Sequence, residues 1–420
     1  MIVVQMILVI IAVWLLLRKY MISLKGAGRE LVKSTDEPTF AVLIPAKDES
    51  AVIEGLLSSL DNQSYKINKN DIYVIVEDKN DPTYNIALKR GNRVVVRRDF
   101  TYKCKGGALD EAVKLIISEG KHYDAYFIFD ADNVLDKDFF MEMKDSYKKG
   151  YDVGIGYRNT KNGNDNIYAA ASSLTFSMIN TLGNSFKAKH GLTLTVSGTG
   201  FYIRGSILES LGGYPFYSLT EDYEFSLYAV LNNLSTTYNR EAKYYDEQPV
   251  SYDVTIRQRT RWIKGYFTAR RMYYRDLREK LADKNSNYAS TYVTLVGVKP
   301  YILLILALLC EIIKSIFDIS MASFADKPIG MFVYNLAIIL FSVYLVLVVF
   351  TSVLLFIEKD SLRLNRGMKL KVLFYNPLFL VGYVKCLYLS IRSKDLTWEK
   401  IPHMVNSSLD EELIEERVKK

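Results

Sequence analysis

The chain is short of the residues that build disulfide frameworks and transition-metal sites. Among 420 residues there are three cysteines, Cys104, Cys310 and Cys386, and three histidines, His122, His190 and His403. The cysteines are odd in number and lack disulfide-framework or zinc-type spacing, which excludes a disulfide-stapled secreted domain and matches a reducing compartment. The histidines are scattered, so a His-based metal centre is excluded as well. Also missing is a G-x-G-x-x-G turn after the first apolar run, where the chain reads PAKDES. A dinucleotide-binding oxidoreductase is therefore set aside.

Charge is absent from two long runs, Met1 to Leu17 and Pro328 to Ile357, and both are candidate membrane segments. Thr291 to Cys310, interrupted by Lys299, and Val372 to Ile391, interrupted by Lys385 and containing Pro377, are weaker candidates. A 49% apolar composition with mean hydropathy of +0.02 is too apolar for a wholly soluble protein that is 24% charged. Arg18, Lys19, Lys25 and Arg29 come after the first run, the reverse of a cleavable signal peptide. Residues 1–20 therefore read as a retained anchor, and the positive-inside rule puts the region on its carboxyl side in the cytosol. The chain then divides into a cytosolic domain (38–255), a basic amphipathic segment (256–285), a membrane region of two to three spans (291–391) and a charged tail (392–420). Four full spans would leave the tail outside, whereas Arg392, Lys394 and Lys400 favour the cytoplasm; Val372 to Ile391 is the segment best suited to be re-entrant or interfacial. The net charge of +7 leaves nucleic acid, anionic lipid and a polyanionic substrate such as a diphosphate all open.

In the cytosolic region, Thr39 to Pro45 reads as a strand, PAKDES as a loop and VIEGLLSSL as a helix. Asp71 to Val76, Arg93 to Val96 and Ala125 to Phe129 read as further strands, with a helix over Gly107 to Ser118. This alternation predicts an α/β domain with a mostly parallel sheet, helices on both faces and a ligand site beyond the carboxyl ends of the strands. Two strand ends are acidic: Glu77-Asp78 and Asp130-Ala131-Asp132. Paired carboxylates on a turn suit Mg²⁺ or Mn²⁺ bound to phosphates. D-x-D also arises by chance, as Asp136-Lys137-Asp138 shows, but only the first comes directly after the apolar run AYFIF. Thr220-Glu221-Asp222 opens a helix-like stretch with Thr220 as its N-cap, where acids also suit the helix dipole. A second acidic site could supply a base while Asp132 holds a metal, the division of labour that sugar transfer from a nucleotide diphosphate requires.

Arg257-Gln258-Arg259-Thr260-Arg261-Trp262 opens a basic stretch to Lys280. Arginine forks suit a diphosphate, and the Trp face suits a sugar ring. Trp262, Tyr266, Ala269, Tyr273 and Leu277 recur at helical spacing, so this helix is expected to enter the site with its first turn and rest on anionic lipid beyond it. A second stripe, Ile167, Ala171, Leu174, Met178, Leu182 and Phe186, reads equally as an interfacial or a core helix.

PAKDES, VEDKN, CKGGAL, FDAD with SGTGF and LTED after it, and QRTRW occur in one order. That ordered set resembles the processive membrane glycosyltransferases of inverting family 2, the group of cellulose, mixed-linkage β-glucan, poly-N-acetylglucosamine and hyaluronan synthases. The resemblance implies a cytosolic GT-A-type domain with transmembrane and interface helices at a plasma membrane, expected to be bacterial. It implies donor contacts from Pro45, Lys47, Asp48, Glu49, Asp78, Lys105, Asp130, Gln258, Arg259 and Arg261, and acceptor contacts from Gly198, Thr199, Gly200 and Trp262. Asp132 with Asp130 would hold Mg²⁺ or Mn²⁺, and Asp222 beside Glu221 would be the base. The implied partners are a UDP-sugar, UDP-glucose ahead of UDP-N-acetylglucosamine, a growing polysaccharide and membrane lipid, with no nucleic acid. The few spans imply either a channel shared between protomers or one supplied by a partner. Transfer of a single sugar to a lipid acceptor is the runner-up, and a non-catalytic export scaffold is disfavoured by the intact carboxylates.

Overall fold

The computed structural model describes residues 2–26, 31–295, 306–307, 309–314, 316 and 328–393. Helix α1 (Ile2–Leu24) precedes an α/β domain. Its first half runs β1 (Phe40–Pro45), α2 (Ile53–Asp61), β2 (Ile72–Val76), α3 (Pro82–Lys89), β3 (Arg93–Val96), α4 (Lys105–Ser118) and β4 (Ala125–Ile128). The second half continues with β5 (Val134–Leu135), α5 (Phe139–Lys148), β6 (Val153–Thr160), α6 (Ile167–Met178), a π-helical segment (Ile179–Ser185), α7 (Phe186–Lys189), β7 (Phe201–Arg204), α8 (Gly205–Leu211), α9 (Glu221–Leu231) and β8 (Thr236–Asp246). After these come α10 (Tyr252–Lys280), α11 (Ser286–Leu295), α12 (Pro328–Ile357) and α13 (Arg366–Arg392).

One eight-stranded sheet, in the order β3-β2-β1-β4-β7-β6-β8-β5, forms the centre. The apolar runs FAVLIP and IYVIV become its middle because a parallel strand covered by helices must be apolar on both faces. Alternate residues divide accordingly. Val42, Ile44, Val74 and Phe127 pack with Leu56 of α2 and Phe139 and Phe140 of α5. Leu43, Tyr73, Ile75 and Ile128 pack with Leu109, Ala112 and Ile116 of α4. The parallel pairing of β1 with β2 and β4 brings the carboxyl ends of all three strands to one edge. The expected parallel character holds for the first four strands and for β6 with β8, whereas β7 enters antiparallel between β4 and β6, and β5 pairs antiparallel with β8.

The stripe on α6 is a packing face: Ala170, Ala171 and Leu174 are buried against Leu354, Leu362, Leu364, Met368 and Val372. It does not continue as a plain α-helix, since Ile179–Ser185 winds as π-helix. The stripe on α10 likewise departs from its expected lipid-facing role. Ala269 and Leu277, with Tyr266 and Tyr273 beside them, are covered by Leu227 and Val230 of α9 and Tyr288 of α11. Arg271, Met272, Arg275, Arg278 and Lys280 remain exposed on the far side.

Among the described residues one helix is long and apolar enough to cross a membrane, Leu336–Ile357 within α12. The apolar part of α1, Val3–Leu15, is shorter. Most of the Thr291 to Cys310 candidate lies outside the described residues, and so does the tail from residue 394. Val372 to Ile391 falls within α13, whose start is tied to the α/β domain and whose end is tied to α10. At its start Asn365 donates its N–H to Asn164 Oδ1 at 2.9 Å, and at its end the Lys264 ammonium donates to the Ser390 and Ser393 carbonyls at 3.3 and 2.6 Å. In between, α13 runs along α6 and α10, with Tyr375 and Phe379 against Tyr168 and Cys386 against Ile256.

The α12–α13 connection is docked by a carboxylate. Glu358, fully buried, accepts from Tyr157 Oη at 2.7 Å, from Thr181 Oγ1 and from Arg240 Nη2 at 3.4 Å. A charge buried this completely is tolerated because three donors from β6, the π-helical segment and β8 converge on it.

Candidate active site

At the ends of β1 and β2 the PAKDES loop is stitched to the start of α3. Asp48 stands at φ +55°, in the left-handed region, and donates its N–H to Asp81 Oδ2 at 2.7 Å. Glu49 N–H donates to Thr83 Oγ1 at 3.0 Å. Asp81 is itself the N-cap of α3, so one carboxylate starts a helix and shapes the loop. Lys47 pairs with Glu77 at 2.5 Å, Glu77 with the buried Arg97 at 3.4 Å, and Asp78 closes a turn by accepting from Asn80 N–H at 2.9 Å. Pro45, Lys47, Asp48, Glu49 and Asp78 thus form one group at one sheet edge.

Lys105 joins the other segments. It opens α4, and its ammonium donates to Asp130 Oδ1 at 2.5 Å and to the Gly198 carbonyl at 2.7 Å, with Glu221 Oε1 at 3.9 Å. CKGGAL, DAD, SGTG and TED therefore meet at one nitrogen. α4 reaches this position because Gly106 lies against the Phe216 carbonyl, where an added Cβ would stand 1.8 Å from that oxygen. Asp130 N–H donates to Thr199 Oγ1 at 2.9 Å, which anchors the DAD turn to the SGTG loop. Gly198 (φ +85°) and Gly200 (φ +69°) hold left-handed conformations, and Gly200 passes against the Tyr244 ring. Asp132 is buried, its Oδ2 accepting from the Glu247 N–H at 2.9 Å.

Burial raises the Glu221 carboxyl to about 7, opposed by the Lys105 charge and reinforced by Asp222. The Asp222 carboxyl is also raised, by burial first, while the Tyr223 N–H, Lys105 and Arg158 pull it back down. Thr220 stands at the N-cap of α9 but makes no capping bond, contrary to expectation. Its hydroxyl is buried without a partner because α10 lies directly on it. An added Cβ on Gly265 would stand 2.4 Å from Thr220 Oγ1. Arg261 on the same helix acts on the charge of Glu221, and Trp262 meets Phe176 edge-on at 6.0 Å. Arg259, in contrast, turns away to Tyr383 Oη and Ser172 Oγ, between the rings of Phe379 and Tyr383. It is not brought to the carboxylates, and Gln258 is half-buried on α10.

Sequence reasoning missed a buried pair beneath these groups. Arg158 Nε donates to Asp246 Oδ2 at 2.9 Å, and Arg158 Nη1 donates to the Ser197 carbonyl at 2.6 Å. Burial raises the Asp246 carboxyl to about 6, against the pull of Arg158. No short motif marks either residue; a charged residue within the apolar strand pattern of VGIGYR was the only signal.

Asp130 and Asp132 present hard carboxylate oxygens on one turn, without histidine or thiol, a donor set that suits Mg²⁺ or Mn²⁺. Among the described residues no three acidic, histidine or cysteine side chains converge as a complete cage. The pair therefore fits an ion that arrives with phosphate ligands of its own.

The family model described as glycosyltransferase like family 2 matches residues 38–265, more than half of the chain. The chain belongs to that family. Its relatives include a probable glycosyltransferase, YdaM, of Bacillus subtilis strain 168, 27% identical over 60% of this chain and 64% of that protein. Another is a β-monoglucosyldiacylglycerol synthase of Trichormus variabilis, 23% identical over 54% of this chain and 49% of that one. The chain thus spans about half to just under two thirds of the curated relatives it matches. Among solved structures, the mannosyltransferase PcManGT of Pyrobaculum calidifontis, in complex with GDP-mannose and Mn²⁺, aligns over 92% of this chain and 100% of its own with a TM-score of 0.55 and 13% identity. At that identity the likeness speaks to the fold, and it agrees with a family 2 transferase domain.

Proposed function

We propose that this family 2 chain is an inverting hexosyltransferase that takes its sugar from a UDP-sugar, UDP-glucose ahead of UDP-N-acetylglucosamine. The acceptor is a growing β-linked polysaccharide, such as a β-glucan, at the cytoplasmic face of a plasma membrane. The observation that carries this reading is the Lys105 ammonium, on which DAD, SGTG and TED converge.

In this reading the PAKDES loop and Asp78 receive the nucleotide, and Lys105 with Arg261 faces the diphosphate. Asp222 takes the proton from the acceptor hydroxyl as that oxygen attacks the anomeric carbon. The bond from that carbon to the diphosphate breaks, and its electron pair leaves with UDP. Burial makes Asp222 a stronger base than an exposed aspartate, while Lys105 and Arg158 keep it ionisable. Attack opposite the leaving group inverts the centre and gives the β linkage. Asp130 and Asp132 would hold Mg²⁺ or Mn²⁺, which when bound neutralises the departing diphosphate. Gly198 and Trp262 face the acceptor side, where an aromatic face suits a sugar ring, while the buried Thr199 and Gly200 hold that loop in place rather than touching the acceptor.

Membrane attachment is part of the proposal, with α12 inserted, α1 as a second anchor and α13 lying along the domain. The exposed basic face of α10, Arg271, Arg275, Arg278 and Lys280, is then available to anionic lipid. Export would need a channel shared by protomers or supplied by a partner. The likeness to β-monoglucosyldiacylglycerol synthase favours a second reading, transfer of one sugar to a lipid. Product length separates the two. Purified protein supplied with UDP-glucose should yield a polymer degraded by a linkage-specific β-glucanase, whereas a product that stays with the lipid phase as a single glycoside would replace chain extension with the second reading.

A further inference from the structure

We propose that Arg158 is a positioning residue for sugar transfer, one buried guanidinium that sets the SGTG loop, the DAD carboxylate and the Trp262 ring in a common register. The inference rests on the transfer reading above.

Arg158 spends its whole side chain on the site's framework. Nη1 holds the Ser197 carbonyl at 2.6 Å, one residue before the Gly198 carbonyl that receives Lys105. Nε and Nη2 both donate to Asp246 Oδ2, and the next residue, Glu247, donates its N–H to Asp132 at 2.9 Å. The guanidinium lies 3.7 Å from the Phe176 ring centre, and Phe176 meets Trp262 at 6.0 Å. Donor side and acceptor side are therefore joined through one residue.

The fold is adjusted to deliver this side chain. The β6–β8 register slips between Gly156 and Tyr157, and such irregularities re-aim the residues beyond them. The Arg158 carbonyl accepts from Asn180 Nδ2 at 2.7 Å, within the π-helical segment. The neighbours of that pair, Tyr157 and Thr181, are the residues that donate to Glu358 at the end of α12. Asp246, 2% exposed, has its second carboxylate oxygen without a partner, so Arg158 and Gln248 carry its charge between them. Lysine would keep the charge but supplies neither the planar fork nor the stacking face.

The experiment compares wild type, R158K, D246N and the double variant as full-length purified protein. It reads UDP binding by calorimetry, melting temperature, and kcat for UDP release from whichever UDP-sugar wild type turns over fastest. R158K is expected to bind UDP within about two-fold of wild type and to lose at least about ten-fold in kcat, a misplacement effect. The double variant should be no slower than the slower single one, because both serve one geometry. Retention of kcat within about two-fold in folded R158K would overturn the inference, as would a parallel loss of UDP binding and kcat. Should R158K fail to fold, F176L separates Trp262 from the guanidinium while leaving the Asp246 pair intact; a several-fold fall in kcat with UDP binding kept supports the inference, and an unchanged kcat overturns it. Wild-type protein inert towards every UDP-sugar would overturn the transfer reading and this inference together, whereas active wild type with undiminished variants overturns this inference alone.

Discussion

Substituting Gly265 by alanine tests whether the helix that carries QRTRW acts by close contact with the residue before the proposed base. An added Cβ would stand 2.4 Å from Thr220 Oγ1, 2.5 Å from Cγ2 and 2.9 Å from Cβ. No rotation of Thr220 relieves this, because its own Cβ is already inside the ~3.5 Å at which carbon atoms meet. Helix α10 must therefore retreat by about 1 Å from the residue that precedes Glu221 and Asp222. Overpacking of this kind costs about 1–3 kcal/mol, offset by about 1 kcal/mol of helix propensity gained when alanine replaces glycine. The melting temperature should accordingly fall by only a few degrees, whereas a displacement of about 1 Å at reacting groups can lower the rate about 100-fold. Initial rates of UDP release, with melting followed in parallel, measure both. T220G placed on top of G265A removes the obstructing atoms and should restore much of the rate. Full activity in G265A alone would refute the claimed contact, and a protein that unfolds without rescue by T220G would refute the partition between stability and rate.

The same geometry sets further outcomes. The acid limb of kcat/KM should lie above the ordinary carboxylate range, because burial raises both the Asp222 and the Glu221 carboxyls. E221Q removes a like charge beside Asp222, so that limb should move to lower pH in a pH–rate profile; a shift upward would contradict the electrostatic account. D132N should raise the Mn²⁺ concentration for half-maximal UDP release at least about ten-fold, and an unchanged metal titration would remove Asp132 from the metal site. E358A strands the Tyr157 and Thr181 hydroxyls in a buried site and should destabilise the fold by about 2–4 kcal/mol, read by denaturant titration. F127A, at the centre of a cluster with Phe40, Phe139 and Phe140, should cost about 3–5 kcal/mol in the same assay.

The parallel half of the sheet was readable because β1, β2 and β4 are short apolar runs ending in acids or a loop rich in them, a pattern that reports both burial and the ligand edge. β6 to β8 were not, since β7 runs antiparallel to both of its neighbours, β6 carries Arg158 in its interior, and β8 is mostly polar along its length. That CKGGAL, DAD, SGTG and TED serve one site was implied only by the resemblance their order carries, and Lys105 as their common point depends on the close approach of Gly106 to Phe216. Helical spacing predicted apolar faces on α6 and α10 correctly, yet spacing cannot say what covers a face. For α10 the cover is α9 and α11, and for α6 it is α12 and α13. Arg259 shows the same limit: Arg261 of the same motif acts on Glu221, but the helical turn sends Arg259 to Tyr383. Arg158 and Asp246 lie 88 residues apart and are paired only by the register of β6 with β8.

The most direct test of the central claim is UDP release by the purified full-length protein across a panel of UDP-sugars, with Mg²⁺, with Mn²⁺ and with chelator, in wild type and D222N. Divalent-dependent release from one or a few UDP-sugars, UDP-glucose foremost, that is lost in D222N while UDP binding persists is the predicted result. Release that is absent for every UDP-sugar, or that continues unchanged in D222N, would contradict the account.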